Sequence, residues 1–291
     1  MDVIEAGSAG RRRWLGIGVL LVLVGAGILI LITNRKVPAK PAPVTPSSIS
    51  SIGPMVSGAN NLLHPVPRRK AGKKVIDVVF PDGRRAEVRY PPRIALDNLG
   101  ARPFVGGWID SDMMLFRRLE APYSGEAEIT RGGEAIREFA PNVTLWPRQP
   151  GSGSGGQVLM FAFGDWRLAL YDRADALTFE QRVTWAEKLK GKVTKDGYLV
   201  LTATPPVRLA APGEMARGEP VGPQLWFGGA AGDMVAIIPT PGCDERSRMP
   251  SIIGGHGRFA RKVCRGDVLV CAVGEPSFVQ EAIAEIRVTL K

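Results

Sequence analysis

Val158-Leu159-Met160-Phe161-Ala162-Phe163-Gly164-Asp165-Trp166-Arg167-Leu168-Ala169-Leu170-Tyr171 is the stretch that decides the fold: two six-residue apolar runs on either side of a turn dipeptide. Runs of that length bounded by a Gly-Asp pair read as the two strands of a tight antiparallel hairpin. Twelve of the fourteen residues lie in strands on this reading, so the hairpin needs a wide apolar surface to pack against. That sets the expectation of a sheet-rich body.

The same grammar recurs about a hundred residues on, where Gly266-Asp267 opens the apolar run Val268 to Val273. A helix is expected after each hairpin. Thr178-Phe179-Glu180-Gln181 begins one and Ser277-Phe278-Val279-Gln280 the other. In the first, Thr178 is the N-cap, Gln181 closes a capping box and Gly191 is the stop, giving a helix over Phe179 to Lys190. Phe179, Val183, Ala186 and Leu189 recur at helical spacing beside Trp185, a face suited to covering a sheet.

Upstream, Asp82-Gly83 and Asp196-Gly197 each supply a hairpin turn and are each followed, eight residues after the glycine, by a Pro-Pro pair: Pro91-Pro92 and Pro205-Pro206. In the first of these, the hairpin joins Val75 to Phe80 with Arg85 to Tyr90. Phe104-Val105-Gly106-Gly107 resembles Trp226-Phe227-Gly228-Gly229, and Val193-Thr194 and Val288-Thr289 end the two stretches. Landmarks in the same order predict a tandem duplication. The fold class is therefore α+β, with two similar modules over 75–195 and 196–291, each an antiparallel sheet with one packed helix.

Outside this body the decisive segment is residues 14–32. It is uncharged and contains thirteen Leu, Ile or Val, with Trp14 at one end; Leu15, Leu20, Leu21, Leu23, Ile28, Leu29, Ile30, Leu31 and Ile32 supply much of its apolar surface. Nineteen residues of helix span about 28 Å, the thickness of a bilayer core. A cleaved signal peptide is the rival reading, with Val37 and Ala39 at the cleavage site, but the run exceeds a signal core and the site would lie well past its end. Residues 1–13 read as a cytoplasmic tail. Residues 33–74, with seven prolines, read as a flexible stalk in which His64 is a solvated bystander. The positive-inside comparison is a near tie, Arg11, Arg12 and Arg13 against Arg35, Lys36 and Lys40. The short tail and the stalk place the body on the extracytoplasmic side, with a cytosolic body as the reversed alternative.

The net charge of +10 is concentrated near this segment: residues 1–74 hold eleven Lys/Arg against Asp2 and Glu5, leaving 27 basic and 26 acidic side chains in the other 217 residues. A nearly neutral body argues against nucleic acid as the partner. Chemistry is likewise sparse. Neither H-E-x-x-H, C-x-x-C nor G-x-S-x-G is present, so no metal or cofactor is expected. Gly151 to Gly156 lacks the Gly-Lys-Ser/Thr of a phosphate loop, and Asp110-Ser111-Asp112 lacks calcium-loop spacing. Trp146, Trp166, Trp185 and Trp226 fall in strand or helix patterns and read as core. Asn142-Val143-Thr144 is a formal glycosylation sequon.

Of the cysteines, Cys243 and Cys264 are the preferred disulfide pair, permitted by an oxidising compartment, with Cys271 a buried strand residue placed opposite about position 260; three free thiols are the alternative. The reading that results is a non-catalytic, single-pass membrane protein of the cell envelope that binds another envelope protein or polymer. The arginine-rich, lysine-poor body fits high-GC bacterial coding. The alternative is an envelope hydrolase built on His256 with Asp110, Asp112 or Asp233.

Overall fold

The computed structural model describes residues 61–291, apart from 111, 113–114, 131–132, 148–155, 173–175, 230–231 and 255–257. The expected tail, the 14–32 anchor and most of the stalk lie outside the described residues, as does His256. Among the described residues no helix is long and apolar enough to cross a membrane. They belong to one compact unit, Val56–Lys291.

The chain is mostly antiparallel sheet with a few helices. Strands β1 (Arg68–Lys70), β2 (Lys73–Val79) and β3 (Arg85–Tyr90) lead through α1 (Leu96–Leu99) into the long, fully buried β4 (Ala101–Ile109). Then come β5 (Arg117–Glu120), α2 (Glu126–Thr130), β6 (Arg137–Ala140), β7 (Val143–Trp146), β8 (Val158–Phe163), β9 (Trp166–Tyr171), α3 (Phe179–Lys188), β10 (Leu189–Val193) and β11 (Leu199–Ala203). The rest comprises β12 (Val207–Leu209), β13 (Met215–Ala216), β14 (Glu219–Pro220), β15 (Gln224–Gly228), β16 (Met234–Pro239), α4 (Ser251–Gly254), β17 (Phe259–Cys264), β18 (Val268–Gly274), α5 (Pro276–Glu285) and β19 (Arg287–Leu290).

Eleven strands form the main sheet, in the order β17-β18-β16-β15-β4-β5-β9-β8-β7-β6 with β12 also on β4. Its centre is the β4/β15 pair, where Pro103 opposes Leu225, Arg102 opposes Trp226 and Phe104 opposes Gln224. Outward from there the two sides match as far as the hairpins β8–β9 and β17–β18, beyond which only the β4 side continues, into β7 and β6. Phe104 opposes Glu120 as Trp226 opposes Ala236, and Glu120 opposes Ala169 as Ala236 opposes Cys271. Both outer hairpins turn on a glycine at φ 58, Gly164 and Gly266, the left-handed backbone such a turn requires. Each then runs through a helix into a strand, α3 into β10 and α5 into β19. Those strands pair with β11 and with β3 respectively. Strand pairing therefore crosses the 195/196 line four times, at β4/β15, β4/β12, β10/β11 and β3/β19.

One face of the sheet carries the two larger apolar cores. The first includes Val105, Leu119, Phe161, Leu170 and Trp185 of α3; the second includes Ile76, Val88, Phe227, Val270 and Val279 of α5. Helix α3 is set by the Thr178–Gln181 capping box and tied down by a buried ion cluster: Asp172 takes Arg117 Nε at 3.3 Å, Arg182 Nη2 at 2.7 Å and the Leu177 amide at 2.9 Å. The indole of Trp185 packs where a Cβ on Gly107 would stand, so β4 needs glycine there. The opposite face has two smaller cores, one around Phe104, Trp226, Met234 and Cys271, the other around Ile129, Trp146 and Met160.

Several local expectations are corrected. Helix α3 ends at Lys188, not Lys190, because Leu189 is buried and already pairs with Ala203. Gly191 is a strand residue with the Phe163 ring packed against it, and not a helix stop. Phe179 is 48% exposed and packs on Phe139 at 5.5 Å, so the buried face of α3 is Trp185 and Ala186. Cys271 opposes Lys262, not position 260, because the two-residue turn Gly266-Asp267 fixes that register. Residues 61–74, assigned to the stalk by composition, are folded onto the body. Asn61 is buried, its Oδ1 accepting from the Arg167 amide at 2.8 Å and its Nδ2 donating to the Arg167 carbonyl. Leu63 exchanges backbone hydrogen bonds with Ala101.

Candidate functional site

The middle of the sheet, on the face with the smaller cores, holds a cavity of about 280 Å³. Arg102 and Trp226, opposed on β4 and β15, form its floor, with Glu120 from β5 beside them. Tyr123 and Glu128, on and just before α2, close one side; Ile252, Ile253 and Arg258, in and just after α4, close the other with Met234 and Val273. The cavity is thus two-sided. The β4–β5–α2 part contributes charge, and the β15–β16–β18 part contributes apolar surface.

Arg102 is 8% exposed and is held by Nη1 to the Ala121 carbonyl at 3.0 Å, with its guanidinium 4.9 Å from the centre of the Trp226 ring. Phe104 is stacked on Trp226 at 4.7 Å, and the indole nitrogen donates to Gln224 Oε1 at 2.8 Å. The aromatic floor is therefore fixed. Gly229 supplies the wall opposite: the Tyr123 ring lies so close that a Cβ there has no room.

Glu120 differs from its neighbours. Glu128 accepts from the Ser124 amide at 3.2 Å and bonds Tyr171, whose hydroxyl is pushed above its ordinary value first by burial and then by the two nearby carboxylates. Arg258 donates to the Gly232 carbonyl at 2.5 Å. No described donor reaches the Glu120 carboxyl. Burial pushes its pKa up, while Arg102 and Arg118 pull it back without pairing to it. Burial likewise pushes Arg102 down from its ordinary value. Two arginines and two glutamates leave the lining neutral overall, with one carboxylate open to a hydrogen-bond donor.

A larger hollow of about 340 Å³ lies beside β13 and β14, lined among others by Glu214, Asp244 and Arg248. Its carboxylates are already used: Glu214 accepts from Arg208 at 2.8 and 2.9 Å, and Asp244 accepts from the amides of Arg246 and Ser247. It offers a ligand less.

The structure scatters the carboxylates considered with His256. Asp110 follows the last residue of β4, whereas Asp233 precedes Met234, which opposes Gly228 near the other end of β4. Nine residues of strand separate those ends by about 30 Å. Asp112 is exposed near Asp110, and Asp233 Oδ1 accepts from the Glu275 amide at 2.9 Å. Among the described residues no group of His, Cys, Asp and Glu could hold a metal ion. His64 Nδ1 lies 2.9 Å from the Asp97 carbonyl oxygen on the surface.

Cys243 and Cys264 form a disulfide, and Cys271 is a buried free thiol whose pKa is pushed up to about 12 by burial. Trp146, Trp166, Trp185 and Trp226 are all core residues, and Trp226 also lines the cavity. The sequence reading missed Arg102, Glu120, Glu128 and Arg258. The one signal the sequence offers for them is Arg102-Pro103-Phe104, a charge inside an apolar run. No protein-family model matches the chain, no curated protein matches it, and no solved structure matches it.

Proposed function

We propose that this is a non-catalytic, membrane-tethered binding protein whose body, on the extracytoplasmic side, takes a small amphipathic ligand into the cavity at the centre of its sheet. The reading rests on Glu120, a carboxyl at the rim of an apolar floor with no donor of its own. A half-buried carboxyl with no donor from the protein favours a ligand that brings one. The neutral lining selects a ligand that is zwitterionic or uncharged, with its donor head on Glu120 and its apolar part over Trp226, Met234, Ile253 and Val273. The bridged Cys243 and Cys264 support the oxidising, extracytoplasmic side. The 14–32 run supports the anchor.

We also read the body as two tandem copies fused about the β4/β15 pair. The support is register: the same steps of pairing, turn, helix and strand run outward on both sides. The second functional reading, a hydrolase using His256, draws support only from Asp233, which is near the cavity wall through Arg258 and Gly232.

The test is thermal denaturation of the purified full chain with L-leucine, L-phenylalanine and their N-acetyl derivatives, which lack the ammonium donor. Stabilisation by the zwitterions that is lost in Glu120→Gln supports the reading. Equal stabilisation of both proteins, or none by any zwitterion, refutes it.

A further inference from the structure

The outer face of the four-stranded sheet β1-β2-β3-β19 carries an arrangement that folding alone does not favour. Arg68, Val75, Arg89 and Arg287 stand opposite one another in a single row across all four strands. Lys70 opposes Lys73 on one side of that row; Val79 and Arg85 lie on the other, where the Lys291 amide bonds the Arg85 carbonyl at 2.9 Å. The row between holds Asp77, Glu87 and Thr289. Seven basic side chains therefore share a face with two acidic ones. Asp77 is taken by Arg68 and Lys291, and Glu87 by Arg68 and Arg89 at 2.7 Å each. At the rim, Lys73 reaches Glu285 and Arg287 donates to the Ala284 carbonyl at 2.6 Å. Lys70 and Arg85 make no ion pair among the described residues, although Lys70 is near enough to help lower the Glu87 pKa.

Like charges directly opposite one another destabilise a sheet, and Arg89 faces Arg287 in that way. Arg265 is close enough that Arg287 adds to the burial that lowers its pKa. Val75 belongs to none of the apolar cores, yet it is fully buried within its row of arginines. Asp77, Glu87 and Glu285 offset only part of the seven basic side chains, so among the described residues this face stays net positive although residues 75–291 are nearly neutral as a whole.

We propose that this face docks on anionic lipid headgroups of the membrane in which the chain is anchored. The proposal rests on the anchor reading for its geometry. Arg68 lies seven residues after Asn61, and the 28 residues from 33 to 60 cannot span more than about 100 Å, so the face stays within reach of its own bilayer. Four strands present a surface about 14 Å across between the outer axes, over which several headgroup phosphates contact a single row of arginines. Each basic residue at such a surface adds to binding, and the effect fades beyond a Debye length.

The test uses the full chain carrying Thr289→Cys, labelled with a fluorophore, and reconstituted in vesicles of phosphatidylcholine alone or with about one-third phosphatidylglycerol. A headgroup nitroxide lipid reports contact. Quenching is expected only in the anionic vesicles, and about 0.5 M salt should abolish it by screening. K70Q/R85Q/R89Q should weaken docking about a hundredfold, since each basic residue contributes about a fivefold step, with an unchanged melting temperature as the folding control. D77N, which adds net positive charge, should strengthen docking at intermediate salt. Equal quenching in both vesicle types, none in either, or displacement from anionic vesicles by D77N overturns the proposal. Binding of inorganic polyphosphate by the detergent-solubilised chain, with no quenching in anionic vesicles, assigns the face to a soluble polyanion and also overturns it. Alkaline carbonate extraction scores the anchor separately. If the chain is stripped by alkali, salt-sensitive retention on anionic vesicles beforehand still supports docking, and its absence counts against it.

Discussion

Replacing Glu120 by Gln tests the central claim about the cavity without any ligand in hand. The substitution keeps the shape and removes the charge. Glu120 is half-buried and unpaired, so the ionised form costs the folded state about 1 kcal/mol, the low end for a buried group lacking a partner because the cavity admits solvent. The sign follows from the direction of the shift. Burial raises the carboxyl above its ordinary 4.5, so below that pH both folded and unfolded chains are protonated and the penalty is absent. As pH rises from 4.5 through the folded value, the unfolded chain releases its proton first, and stability falls. Above the folded value the loss is constant. For a body of this size 1 kcal/mol is about 2–4 °C in Tm. Calorimetry of the ligand-free chain should therefore show Glu120→Gln melting with the wild type near pH 4 and about 2–4 °C above it near pH 8. A variant that melts lower at pH 8, or by the same margin at both, would mean that the carboxylate is a structural partner and not an open acceptor.

Three further outcomes follow from the same structure. Asp172→Ala leaves Arg117, which is completely buried, and Arg182 without their shared carboxylate and should cost about 3–5 kcal/mol by urea denaturation. A loss below 1 kcal/mol would show that water replaces the ion cluster. Reducing Cys243–Cys264 opens a loop with a sequence separation of 21 and should lower stability by about 3 kcal/mol, read as a reductant-dependent shift in the urea midpoint. Gly229→Val has no space beside the Tyr123 ring. It should cost about 1–3 kcal/mol and remove the zwitterion-induced rise in Tm, and retention of that rise would exclude this wall from the site.

What could be read in the sequence was whatever depends on neighbours along the chain. The hairpin Val158–Phe163 with Trp166–Tyr171 and the Thr178–Gln181 cap are set by residues within a few positions of one another, and their bounds appear in the sequence directly. Asn61 could not be read as structural, since its partner is the backbone of Arg167, 106 residues away. Gly191 could not be told from a helix stop, because what demands glycine is the ring of Phe163 on another strand. The cavity was hidden for the same reason. Arg102 looks like a lone charge in an apolar strand, and Glu120 like the polar end of another. Their meaning depends on lying together over Trp226.

The register also explains why a search for repeats was blind to the site. If the halves are copies about the Pro103–Leu225 pair, Arg102 corresponds to Gln224 and Phe104 to Trp226. One strand further out, Glu120 corresponds to Ala236 and Arg118 to Met234; on the next hairpin, Tyr171 corresponds to Val273. Positions that are charged or hydroxylated on one side are amide or apolar on the other. Searching for self-similarity finds turns, glycines and capping residues, which both copies need in order to fold. It passes over positions where the two sides differ, and Arg102, Glu120, Trp226, Met234 and Val273 of the cavity lining are among them. A perfectly repeated sequence would place identical groups on both sides of the β4/β15 seam. With Glu120 and Arg102 duplicated the floor would hold four charges, and with Ala236 and Gln224 duplicated it would hold no charge. Only divergence gives a seam with a polar half and an apolar half, so the two-sided character of the cavity comes from the differences between the halves, and the frame that holds it comes from their likeness.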